Sequence, residues 1–138
     1  MLSELTEHAI QSALLRYEEL FSRGDVDAIV DDFTDDVRVH YGAHPPFAGK
    51  HHLRELLTKR FAGMRDYRLS KRLEFVSAPR FASSWTGSWV DVESRQQMNV
   101  YGLEVLTVRA GRFCEWSAAV TIWRDFGHQT AAAASIFQ

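Results

Sequence analysis

Cysteine is almost missing from this chain: Cys114 is the single one among 138 residues. One thiol cannot close an internal disulfide, so a disulfide-stapled secreted scaffold is excluded and a reducing cytoplasm is expected. Long apolar runs are missing as well. No stretch has the length a bilayer demands, and Glu4 and Glu7 stand where a secretory leader needs a basic and then an apolar segment. Neither sign of charge is in excess. Sixteen Lys and Arg against eighteen Asp and Glu leave a formal charge of -2, and the basic residues are scattered, which removes the usual footprint for nucleic acid or an anionic membrane. Internal repeats are absent too.

What the chain does have is apolar and aromatic surface, 46% and 12% of its residues. At this length that is enough for one compact domain over 1–138, with a core at about 8–124 and a tail at 125–138. Ile10, Ala13, Leu14, Tyr17, Leu20 and Phe21 recur at steps of three and four and so share one helical face. The helix starts near Ser3 or Thr6, and Gly24 supplies its left-handed stop. Asp25 caps a second, short helix with Val26, Ile29, Val30 and Phe33 as its apolar face.

From Asp36 the period becomes two, with Val37, Val39 and Tyr41 on one side and Arg38 and His40 on the other. Pro45 and Pro46 make 42–49 a loop at the sheet rim. Leu53, Leu56, Leu57 and Phe61 mark a third helix over 50–62. Strands follow: Tyr67, Leu69, Leu73 and Phe75 alternate with polar residues, and so do Phe81, Ser83, Trp85, Gly87 and Trp89. Two further strands flank an Ala110-Gly111 hairpin turn. Three helices followed by an antiparallel meander form an α+β architecture. The Ala-rich tail is expected to be disordered or to fold over the mouth or a partner.

The segments RYEELFSRGDVDAIVDDFTDDVRVHYG, PPFAG, YGLEVLTVRAGRF and EW, in this order, resemble the SnoaL-like branch of the NTF2-like superfamily, which includes ketosteroid isomerases, polyketide cyclases and limonene epoxide hydrolases. The resemblance spans about residues 8–124. It implies a conical barrel, in which three N-terminal helices pack on a strongly curved, mostly antiparallel sheet, and commonly a dimer. Carried over by position, it implies that Tyr17 matches the helix tyrosine that donates to a substrate oxyanion. It likewise matches Glu104 to the carboxylic acid that donates beside that tyrosine, and Trp116 to an apolar wall. Tyr41 stands where the isomerases have their aspartate base. A phenol with an ordinary pKa near 10 is a poor base at neutral pH, so the isomerases' proton shuttle does not carry over. Nor does the last strand, at Trp116-Ser117-Ala118-Ala119, offer the acidic residue or histidine common in cyclases and epoxide hydrolases.

The residues themselves leave paired readings open. Tyr17, Tyr41 and Glu104 form either a donor set in which burial keeps Glu104 protonated, or an internal hydrogen-bond cluster without turnover. Strand parity turns Glu104 inward with Val100, Gly102, Leu106 and Val108; were Leu103 and Val105 the inner face instead, Glu104 would be a surface residue. Phe21, Phe33, Trp85, Trp89 and Trp116 either line a pocket for a planar or polycyclic apolar ligand, with Gly87 leaving space, or fill the core. His40 faces away from the cup unless the strand slips by one residue, which would exchange it with Tyr41 and deliver a base of suitable pKa. His44 can reach the mouth, while the spacing of His51 and His52 completes no metal set. No metal or other cofactor is expected. Apolar residues on both faces of the strand at Tyr101, Leu103 and Val105 predict a homodimer through the outer face of the sheet. The expected ligand is a hydrophobic, carbonyl-containing small molecule. The alternative is a non-catalytic binding or interaction domain.

Overall fold

The computed structural model describes residues 2–125; the tail at 126–138 lies outside the described residues. Helix α1 (Glu7–Arg23) begins where the Thr6 hydroxyl accepts from the Ala9 amide at 3.1 Å. It ends at Gly24, whose φ of 63° places it in the left-handed region that closes a helix without a Cβ penalty. Ile10, Leu14, Tyr17 and Leu20 are its buried stripe. Asp25 caps α2 (Val26–Asp31) by accepting from the Ala28 amide. This helix stops sooner than its apolar spacing implies. Phe33, expected on its face, instead opens β1 (Phe33–Tyr41) and packs edge-on against Phe113, which lies opposite it on β6.

The proline loop carries a two-residue strand, β2 (Phe47–Ala48), paired antiparallel to β1. Helix α3 (Lys50–Ala62) then buries Leu53 and Leu57 completely. Four long strands follow: β3 (Met64–Ser77), β4 (Arg80–Asp91), β5 (Gln97–Arg109) and β6 (Arg112–Arg124). They form an antiparallel meander, and β1 joins it in parallel against β6, giving the sheet order β2-β1-β6-β5-β4-β3. The fold is therefore α+β with a mixed, mostly antiparallel sheet. Among the described residues no helix is long and apolar enough to cross a membrane.

Register irregularities bend this sheet and redirect side chains. One, between Leu73 and Phe75, turns Phe75 outward and leaves it 60% exposed, where strict alternation had placed it beside Leu73; Val76 faces in instead. A second, between Thr107 and Val108, puts an extra residue at Cys114, so that Phe113 and Trp116, three apart, are both buried. At the hairpin between these strands Ala110 and Gly111 have φ of 52° and 79°, the left-handed pair that a two-residue turn demands. Helix α1 is fastened to β3 by Glu18, whose carboxylate accepts from the Lys71 amide at 2.6 Å.

Candidate functional site

The concave face of the sheet is closed by α1 and carries two small chambers that share Phe21, Lys71, Glu104 and Trp116 in their walls. The first, toward Phe33, Phe113 and Leu106, has a cavity volume of about 30 Å³; the second, toward Tyr41, Tyr67 and Trp85, about 10 Å³. Rings therefore occupy most of the cup, leaving room for a water or two. Phe21, Phe33, Trp85 and Trp116 line the chambers. Trp89 does not: it packs edge-on against Tyr67. Gly87 leaves no space either, because a Cβ there would lie 2.9 Å from the Arg68 carbonyl and 3.0 Å from Val100.

Glu104 sits at the centre, 4% exposed, on the inward face that strand parity assigned to it. Its partners differ from those expected. One oxygen accepts from the Lys71 ammonium and the Ser83 hydroxyl, each at 2.6 Å, and the other accepts from the Trp116 indole N-H at 3.0 Å. Lys71 and Trp116 can only donate, so this geometry uses Glu104 as an acceptor on both oxygens rather than as a protonated donor. The Lys71 ammonium lies 5.0 Å from the Trp85 ring and 5.9 Å from that of Phe21, and its side chain is only 8% exposed. A buried ion pair roofed by aromatic rings is thus the chemical core of the cup.

Tyr17 lines the first chamber with that acid and Tyr41 the second, but the Tyr17 hydroxyl is directed elsewhere. The Tyr17 hydroxyl donates to Asp32 at 2.5 Å, and Arg16 donates to the same oxygen. Its proton is committed to a clamp between α1 and the end of α2, while the Asp32 backbone carbonyl accepts from Phe113 on β6. Burial, reinforced by the Asp32 carboxylate, pushes the Tyr17 phenol far above its ordinary range. Burial also acts to raise Asp32, but the hydrogen bonds from Tyr17 and Arg16 prevail and hold it below the usual carboxylate range. Tyr41 is buried against Trp116, with ring centroids 5.1 Å apart, and the Arg60 guanidinium lies 4.5 Å from its ring centre. Burial raises its phenol while Arg60 opposes the shift. Tyr67, too, is raised by burial. The slipped register that would have exchanged His40 for Tyr41 is not adopted; His40 is exposed and outside both chambers.

These shifts fix the direction of the pH dependence. Below about pH 10 the buried phenols are protonated in both folded and unfolded chains. Above it the unfolded chain releases their protons first, so urea midpoints should fall steadily as pH rises past about 10. Asp32 acts at the other end: unfolded chains take up its proton first as pH drops below about 4, so stability falls there too. Tyr17→Phe should cost about 1–3 kcal/mol at neutral pH, because it removes a buried donor from a carboxylate. A midpoint unchanged by that substitution would rule out the clamp.

Lys71, Asp32 and Arg60 escaped the sequence reading, and only Lys71 left a trace: it occupies the inward position between Leu69 and Leu73 in a two-residue period.

Comparison with known proteins agrees with this architecture. A chain described as the epoxide hydrolase/cyclase-like enzyme SalBIII, concerned with pyran ring formation in the polyether salinomycin, superposes with a TM-score of 0.72 at 16% identity, covering 87% of this chain and all of that one. A candidate scytalone dehydratase from Novosphingobium aromaticivorans gives 0.71 at 15% identity, covering 87% of each chain. A candidate isomerase from Bacillus subtilis gives 0.71 at 8% identity, covering 80% and 84%. At these identities the likeness establishes the fold alone. No curated protein matches the chain. The model of the SnoaL-like domain matches residues 14–116, the span from the middle of α1 to the indole that holds Glu104, and the chain belongs to the SnoaL-like family of the NTF2-like superfamily.

Proposed function

We propose that this chain is a SnoaL-like small-molecule pocket protein that takes an apolar, carbonyl-bearing compound into the cup and carries out acid–base chemistry on it at Lys71 and Glu104. The observation that carries this reading is the buried Lys71–Glu104 pair at 2.6 Å, in the shared wall of both chambers and flanked by aromatic rings. One Lys71 N-H is engaged by Glu104, leaving the ammonium further donors for a ligand carbonyl oxygen. In a water-poor site that donor would stabilise the negative charge that develops when a proton leaves the adjacent carbon. Glu104 is the acceptor for that proton, after which its link to Lys71 is remade on return. Similarity to a cyclase-like enzyme, a candidate dehydratase and a candidate isomerase supports this class of chemistry without selecting a member.

The test is a thermal-shift screen over steroids, aromatic polyketides and terpenoids, followed by proton-exchange NMR on the hits. A ligand of the cup raises the midpoint by mass action, and solvent deuterium should enter next to its carbonyl with the unsubstituted protein but not with Glu104→Gln, checked for folding by circular dichroism. Exchange unaltered by that substitution would remove Glu104 from the chemistry. The second reading is a non-catalytic domain whose cup is part of its core. It is favoured by the small residual volumes, about 30 and 10 Å³, and it expects no compound to shift the midpoint.

The proposal extends to a homodimer through the outer face of the sheet. Ala82, Ser84 and Thr86 on β4 stand opposite Val105, Leu103 and Tyr101 on β5, which in turn face Ser117, Ala119 and Thr121 on β6. None of these side chains is charged, and Tyr101, Leu103 and Val105 are 44%, 48% and 37% exposed. Phe75, turned outward by its bulge, extends the patch beside Ala82. An uncharged face of this kind is suited to a self-complementary contact. Leu103→Asp should therefore halve the mass measured by light scattering without loss of the fold, and an unsubstituted chain that already runs as a monomer would contradict the dimer.

A further inference from the structure

Outside the cup, a groove of about 560 Å³ runs between α3 and the proline loop, walled by His44, Phe47, His52, Leu56, Lys59 and Arg60. Glu55 also lines it, but its carboxylate is engaged by His51 at 2.9 Å. The wall has two kinds of chemistry. Phe47 lies edge-on to both His44, at 5.5 Å between centroids, and His52, at 6.2 Å, a row of rings suited to the edge or face of a planar molecule. The wall also includes two basic residues, Lys59 and Arg60. Arg60 is half-buried, held over the Tyr41 ring, and belongs at once to the groove and to the inner chamber that contains Glu104.

The geometry points to this groove as a binding site for small aromatic carboxylates, with the ring against Phe47 and its two imidazoles and the carboxylate on Arg60 and Lys59. The groove has the volume of a small-molecule site, while the inner chambers as they stand do not. A guanidinium can pair with a carboxylate through two parallel N-H donors, which an ammonium cannot do. The site does not require any ligand inside the cup. It does share Arg60 with it, so a carboxylate that draws the guanidinium outward would loosen its contact with Tyr41.

The experiment is calorimetric titration of the whole protein with 2-naphthoate and with its neutral isostere 2-naphthamide. Naphthoate should bind roughly tenfold or more tightly than the amide, as expected for charge-assisted pairing. Arg60→Gln, and independently the exposed Lys59→Gln, should each reduce naphthoate affinity and bring it toward that of the amide. Phe47→Ala should weaken both compounds. Leu106→Ala, in the wall of the first chamber and away from Arg60, should leave naphthoate binding unchanged. Equal affinity for acid and amide, no binding of naphthoate at millimolar concentration, or loss in the cup variant with Lys59→Gln and Arg60→Gln unaffected would each overturn the assignment. The last outcome would move the ligand into the cup, and success here with a silent thermal-shift screen would leave the groove standing while the cup reading fell.

Discussion

Lys71→Met is expected to lower stability by about 3–5 kcal/mol, and Glu104→Leu by a similar amount, whereas the chain carrying both should recover most of the loss. The reason lies in what each single change leaves behind. Glu104 is 4% exposed and the Lys71 side chain 8%, so removing one partner strands the other charge in a site with room for little water. Removing both exchanges an ion pair for apolar contact among Phe21, Trp85 and Trp116, and such exchanges are often neutral or favourable. Ser83 and the Trp116 indole N-H would lose their acceptor in the double variant, which limits the recovery to something short of complete. Urea denaturation of the four proteins measures the coupling directly. Additive losses would mean that the pair is not coupled in solution. A stable double variant without proton exchange on any ligand is also the cleanest separation of chemistry from folding at this site.

Gly102→Ala is expected to cost about 1–3 kcal/mol, more than its single methyl group would suggest. Gly102 lies directly across from Trp85, and a Cβ built on it would sit 2.2 Å from the indole carbons. The neighbour is a rigid ring, and that ring is already held between β5 and the Lys71 ammonium, so it cannot yield without disturbing the ion pair. Trp85→Leu in the same background should restore part of the stability by removing the atoms that clash. Equal midpoints for Gly102→Ala and the unsubstituted protein would show that the indole does not lie against this strand. The position also bears on the cup: a displaced Trp85 would enter the second chamber, where about 10 Å³ remains.

The elements were legible because local rules decide them. Thr6, Gly24 and Asp25 act as caps within one turn of their own backbone, and Ala110-Gly111 closes a hairpin from two adjacent φ angles. Glu104 was placed inward correctly because β5 alternates without interruption from Val100 to Leu106. Where alternation broke, the reading broke with it. Strict alternation puts Phe75 on the wrong face, because nothing local announces the irregularity at Leu73. Phe33 was read as helical because its spacing from Ile29 and Val30 fits a helix as well as it fits the strand it starts.

The chemistry of the site was less legible. Tyr17 and Glu104 are both buried at the cup, yet each found a partner that no spacing could disclose: Asp32 lies 15 residues from Tyr17, and Lys71 lies 33 residues from Glu104. Burial raises the cost of an unpaired polar group until the nearest opposite group in space, however distant along the chain, becomes its partner. The sequence by itself determined the order of helices and strands, the inward face of β5 and the family, since all three rest on periodicity, caps and short motifs. Only the tertiary structure decided which charge meets which, how far the rings fill the cup, and that Arg60 joins an outer groove to an inner chamber. Those outcomes depend on strands and helices brought together from opposite ends of the chain, and on bulges that shift a register by one residue.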